Sequence, residues 1–278
     1  MKTDDDLVRA PIFGFQFSSS IETFVYEDEP LRPTWKPRRN YRLSAEHRRQ
    51  LCVHLAAHAA ISWLGGLYVY MLAVAGEGVR SWSIGDRKSN PSEKMWGRCC
   101  TSDFYCNQMS WDRNRQIYVV DRESWESKIA KEFESYSESL PPEKTPVSSD
   151  EFLEGRRQQV RAHVCGYLAG HVADGITAGM SADEALRFYE RRDTQAVWGN
   201  DVVEAEGLAD LLPSGEYENA VRLTEEALRR PEVWNSVMRL AGELQRFGLL
   251  ERSPCENDID KLLPSPEANW PPAVGIQA

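Results

Sequence analysis

Residues 44–66 read SAEHRRQLCVHLAAHAAISWLGG, and their reading decides the fold. Ser44 stands where an N-cap belongs, Glu46 falls in the first turn, and Gly65-Gly66 supplies the residues that close a helix C-terminus. The apolar stretch between is crossed by one polar line: His47, Gln50, His54, His58 and Ser62. Steps of three and four residues place that line on a single helix face. An apolar helix with one polar stripe inverts the pattern of a surface helix, so the stripe lines something inside the protein. Within it His54 and His58 stand at i and i+4, the spacing at which two imidazoles converge on one ion.

The composition bounds the alternatives. A chain of 278 residues, 41% hydrophobic and with nine tryptophans, can bury a large core. Its net charge of −10 and the absence of any long Lys/Arg run argue against a nucleic-acid partner, whose phosphates require basic residues. Six cysteines without a regular framework, and an acidic opening MKTDDDLVRAP without an apolar h-region, read as reduced thiols in a cytoplasmic protein. The group Cys99, Cys100 and Cys106 lacks the paired CxxC spacing of structural zinc modules and reads as packed free thiols. Between Cys52 and Gly76 no residue is formally charged, a length that could cross a membrane. The histidines, the glycine pair and the missing cationic flank favour a buried helix of a soluble protein, with no membrane span.

Around the helix the chain divides into three parts. Residues 1–43 form an N-terminal arm, 44–252 one domain, and 253–278 a Pro-rich tail that reads as extended. LYVYMLAVAG (67–76) continues as a helix past a kink or as a buried strand. VRSWSI (79–84) reads as an edge strand, 85–92 as a loop, RQIYVVD (115–121) as a strand and SWESKIAKEFESYSE (124–138) as a helix. SLPPEKTPVSSD (139–150) is the clearest linker. Beyond it the chain is helical. Asp150 is read as the cap of a helix with a ridge at Phe152, Val160, Val164, Leu168, Val172 and Ile176. Gly166 and Gly170, one turn apart, let another backbone approach, and the 44–64 helix is the expected partner. A loop through GMSADEA precedes the helix LRFYERRD, Asn200 caps DVVEAEGLADLL, and Pro213-Ser214-Gly215 breaks it. The last helices are YENAVRLTEEALRR and one from Pro231 to Gly248. The fold class is mainly α with a small sheet (α+β), strands falling between about 67 and 120.

A zinc held by His54 and His58 needs a third protein ligand, and the candidates are His163, His171, Asp174, Asp193 and Asp201. The order of segments resembles the FtsH-type zinc metallopeptidase domain. HLAAH (54–58) stands for the family's H-E-x-x-H, YLAGHVADGITAG (167–179) for its small-residue helix, and GNDVVEA (199–205) for the aspartate segment. PEVWNSVMRLAGELQRFGLLE stands for its last helices. The likeness covers about 44–84 and 150–252, with an insertion at about 85–149. It implies a zincin-like domain with zinc on His54, His58 and Asp201. It also implies a lesion, because Leu55 occupies the place of the general-base glutamate; Glu204, three residues after Asp201, is a poor substitute. No phosphate-binding loop of an ATPase module occurs. The resemblance therefore implies a catalytically impaired zinc protein that binds a peptide or protein partner. The alternatives are an active peptidase using another carboxylate and a metal-free helical interaction protein.

Overall fold

Helix α1 (Ala45–Leu64) forms where the sequence places it. The Ser44 carbonyl accepts the first helical hydrogen bond, from the Arg48 amide. At the other end Gly66 has φ +80°; its amide bonds to the Trp63 carbonyl, and that of Leu67 reaches back to Ser62. This paired arrangement satisfies the last carbonyls and depends on a glycine at the left-handed position. From Leu51 to Leu64 nearly every side chain is buried, including His54, His58 and Ser62, while Gln50 is half-buried.

The computed structural model describes residues 19–20, 44–77, 83–84, 87–88, 97–101, 109–112, 117–141, 145–190, 201–252, 259–268 and 270–273. Its main sheet is antiparallel in the order β1 (Ser19–Ser20), β5 (Gly97–Thr101), β2 (Val69–Val74), β8 (Leu249–Glu251). Two further hairpins pair β3 (Ser83–Ile84) with β4 (Arg87–Lys88), and β6 (Met109–Asp112) with β7 (Ile117–Val120). The segment after Gly66 is thus a strand: Val69, Leu72, Ala73 and Val74 are buried while Tyr70 faces solvent. Of VRSWSI only Ser83–Ile84 lies within the described residues. The sheet also reaches beyond the expected 67–120 window. Leu72 pairs with Leu250, so β8 comes from the far end of the chain, and β1 from the arm. Strands of two or three residues are too short to carry a period in sequence. Under the sheet, Leu51 and Leu55 of α1 sit beneath Gly97, where a Cβ would overlap the Leu55 methyl.

Helix α3 (Ser149–Thr177) packs across the other side of α1. Its cap is Ser148, in a reciprocal capping box with Glu151, rather than Asp150, which lies in the first turn. The Ser-x-x-Glu spacing outranks the isolated aspartate because it satisfies two backbone donors at once. Val160, Val164, Leu168 and Val172 are buried as the ridge requires, with Phe152 and Ile176 partly buried at its ends. The glycine face meets α1 as expected: a Cβ on Gly166 would lie 2.5 Å from Ser62 Oγ. Before it, α2 (Arg122–Ser139) packs Phe133 and Tyr136 on Phe152, and Arg156 pairs with Glu132 at 2.9 Å.

After it come α4 (Ala182–Glu190), α5 (Asp201–Ala209), α6 (Glu216–Arg229) and α7 (Pro231–Phe247). Helix α4 begins inside the segment read as a loop, because Ser181 and Glu184 form a second capping box. Asn200 lies outside the described residues. Pro231 opens α7 and Gly248, at φ +76°, closes it. Arg161 on α3 is buried but paired with Glu216 at 3.0 Å and Glu154 at 2.6 Å. The tail is not simply extended: Ile259–Lys261 forms a 3₁₀ turn, and Ile259, Leu263 and Trp270 join the core. The Pro271 and Pro272 carbonyls accept from Gln158 and Asn219. Among the described residues no helix is long and apolar enough to cross a membrane.

At the Gly65 end of the α1–α3 crossing, a Cβ on Gly65 would stand 2.7 Å from the Ala162 Cβ. Gly65→Ala should therefore lower stability by about 1–3 kcal/mol through overpacking. Adding Ala162→Gly should return part of that loss, and urea titration of both variants measures the coupling. An unchanged midpoint in Gly65→Ala would mean that the crossing yields freely there.

Candidate metal centre

His54 and His58 lie on the α1 face that α3 crosses, and Gly170 is the residue that makes room for them. A Cβ at Gly170 would overlap the Nε2 atoms of both rings. The same helix fixes their orientation. His58 Nδ1 donates to the Gly166 carbonyl at 2.7 Å, and His54 Nδ1 donates to Asp174 Oδ2 at 2.8 Å. A carbonyl oxygen only accepts, so His58 Nδ1 is the donor of that pair, and its Nε2 faces inward toward Asp201. Both Nε2 atoms are buried and make no hydrogen bond. Two imidazoles anchored through Nδ1, one to a carboxylate and one to a backbone carbonyl, have the outer support that metal-binding histidines have.

Asp201, the first residue of α5, brings a buried carboxylate to them. Its Oδ2 lies 3.2 Å from His58 Nε2 and 3.6 Å from His54 Nε2. Zinc bonds of about 2.0–2.1 Å in a tetrahedron put ligand atoms roughly 3.3 Å apart, close to these two separations, and the three ligand atoms all lie within 4.8 Å of one another. The first turn of a helix is also where a carboxylate is favoured by the dipole. His171, next to Gly170, places its Nε2 3.8 Å from the same oxygen. Burial alone would lower the affinity of His54 for a second proton, but Asp174 and Asp201 outweigh it and lift the imidazole to about 9. The two flanking carboxylates thus favour the charged form of this ring.

His54, His58 and Asp201 thus come together from the α1 motif and the α5 opening, as a group able to hold a metal ion. Asp174 and His171 gather around His54 as well, two residues that the sequence offers only as candidate ligands. The signal for them was available: both follow Gly170, within one turn of the glycine that faces the histidines. His163 is buried on α3, and Asp193 lies outside the described residues. Glu204 is half-buried one turn along α5 from Asp201 and joins neither group. Leu55 is 0% exposed, its methyl beneath Gly97 of the sheet.

Cys52, Cys99, Cys100 and Cys165 are buried and form no disulfide. Burial pushes Cys52 and Cys165 up to about 12. Cys99 is raised well above the usual thiol range by burial, with Cys100 and Asp201 adding to it. Thiols held protonated are poor ligands; Cys106 lies outside the described residues. No family model, curated protein or solved structure matches this chain.

His163 gives the centre's helix a pH signature of its own. Burial drives its imidazole down to about 3. The unfolded chain takes up a proton near 6.5 while the folded chain stays neutral, so stability is lost as pH falls from 6.5 toward 3. The slope from this residue is up to ~1.4 kcal/mol per pH unit. His163→Gln is expected to flatten that part of the profile in urea titrations across the window; parallel wild-type and variant slopes would contradict it.

Proposed function

We propose that the chain is a zinc-binding, metallopeptidase-like protein with a zincin-like arrangement of helices, catalytically impaired and acting by binding a peptide or protein partner. One observation carries the reading: two buried Nε2 atoms without hydrogen bonds converge on one buried carboxylate, while each ring is anchored through its other nitrogen. A nitrogen-rich set with one carboxylate suits zinc. The ligand order, two histidines four apart and then an aspartate opening a later helix, supports the likeness to the FtsH-type peptidase domain. His54, His58 and Asp201 would hold the ion, which when bound polarises water or a carbonyl.

Impairment follows from Leu55. A positioned base contributes about 10²–10⁴ in rate, and a leucine cannot accept a proton. Its place under the sheet also makes it a core residue in its own right. The competing metal-free reading rests on the protonated His54 between Asp174 and Asp201, which partly satisfies the cluster without an ion.

Metal analysis separates the readings. Purified protein, refilled with zinc and freed of excess, should hold it stoichiometrically; His54→Ala and Asp201→Asn should not. Wild type without stoichiometric zinc would establish the metal-free seam. Peptide-library digestion with and without chelator should show no zinc-dependent cleavage; chelator-sensitive turnover would point to an active peptidase with another base, Glu204 among the candidates.

Leu55→Glu should keep the zinc but lower the melting temperature. A carboxylate in the layer beneath Gly97 is a buried, uncompensated charge, a defect on the order of 3–5 kcal/mol. Any turnover gained should be slight, since nothing there orients a base. Undiminished stability combined with strong zinc-dependent cleavage would show that residue 55 faces the metal-bound water.

A further inference from the structure

We propose that His54, His171 and Asp174 form a second, outer zinc site, filled in alternation with the inner group of His54, His58 and Asp201. The inference rests on the metal-binding reading and deepens it by assigning the route by which the ion arrives. One ligand atom from each of His54, His171 and Asp174 lies within 4.8 Å of the other two, so the three make a ligand set in their own right. The His171 ring stands nearly perpendicular to that of His54, with centroids 5.0 Å apart, against 4.6 Å between His54 and His58. Two imidazoles and one carboxylate repeat the donor types of the inner group, a combination that suits zinc.

His54 belongs to both groups, and its ring governs how they are used. Nδ1 stands 2.8 Å from Asp174 Oδ2, and Nε2 stands 3.6 Å from Asp201 Oδ2. A neutral imidazole has one lone pair and one N–H, so it binds one ion at a time. With the ion inside, Nε2 coordinates and the Nδ1–H donates to Asp174. With the ion outside, Nδ1 coordinates beside Asp174 and His171, and the Nε2–H faces Asp201. The separation of Nδ1 from Asp174 then opens by about half an ångström to the roughly 3.3 Å edge of a tetrahedral zinc site. Burial orders the two positions. Asp174 is 14% exposed and Asp201 3%, so an arriving hydrated ion meets Asp174 first. The outer set, wider and partly wetted, holds zinc more weakly. Passage inward exchanges one nitrogen of His54 for the other: the Nδ1–zinc bond breaks and Nδ1 takes up a proton, while Nε2 gives up its own and binds the ion.

Zinc titration of the full-length chain against a chromophoric chelator, with free ion present throughout, tests this. Wild type should take up a single equivalent, because the shared ring excludes a second. His58→Asn breaks the inner group yet should still take up one equivalent, more weakly than wild type, and lose it once excess zinc is removed. Adding His171→Asn to that variant should abolish uptake. If wild type holds zinc while His58→Asn takes up none, or if the double variant binds as His58→Asn does, the outer site is overturned and the inner centre stands. Two equivalents in wild type would overturn the alternation. Wild type that takes up no zinc would remove the metal centre and this inference together. Should His58→Asn not fold, Asp201→Asn breaks the inner group at its carboxylate and is read in the same way, alone and with His171→Asn.

Discussion

The close approach of α1 and α3 is the constraint on which the rest of the structure depends. Helices cross at a distance set by the side chains between them, and here one helix contributes no side chain at two successive turns. Gly166 faces Ser62, and Gly170 faces His54 and His58. The space gained accommodates two imidazoles, and the nearby backbone gives one of them its partner, the Gly166 carbonyl. A larger residue at 170 would displace both rings from Asp201. The polar stripe on an otherwise apolar helix is tolerated because the helix it faces has been narrowed to receive it.

Charge balance makes the same cluster demanding. Asp201 is buried and Asp174 half-buried, and buried carboxylates need compensation. One proton on His54 offsets one of the two negative charges. A divalent cation offsets both and also meets the nitrogens that face inward without hydrogen bonds. The surrounding core offers little else: its nearest thiols stay protonated, and Arg161, the buried cation on α3, is committed to Glu154 and Glu216.

What was legible in the sequence was what local chemistry dictates. The α1 stripe, the ridge of α3, the glycine pair and the Pro231–Gly248 limits of α7 each follow from spacing or backbone preference within a few residues. The meeting of His54, His58 and Asp201 was legible only through the order of segments, since no local rule joins residues 58 and 201. Less was readable where two signals competed or where pairing was distant. Ser148 and Ser181 cap helices through a glutamate three residues on, a pattern hidden by nearby aspartates that look equally able. Strand β2 carries no clean alternation because it is buried on most of its length, and β8 is a strand only because Leu72 waits beside it. His171 and Asp174 were visible as ligand-type residues, but their position depends on which face of α3 meets α1, and the glycines mark that face only once the crossing is known.

Chemistry and architecture then converge on what the centre is for. Hydrolysis needs an open coordination position and a base placed beside it. On the proposed reading Leu55 denies the second. A metal held there without that base would act through its bonds to the protein. Its ligands would come from α1 and α5, and Asp201 is the opening residue of α5, so coordination would pin the start of that helix to the α1–α3 crossing. Structural zinc contributes on the order of 10–16 kcal/mol in small domains, comparable to the whole stability of an ordinary fold, about 5–15 kcal/mol. A centre of that strength would fix the placement of α5 against α1 and, through α1, against the sheet that rests on its other face. On the proposed reading, the surface a partner meets is held in shape by an ion it never touches.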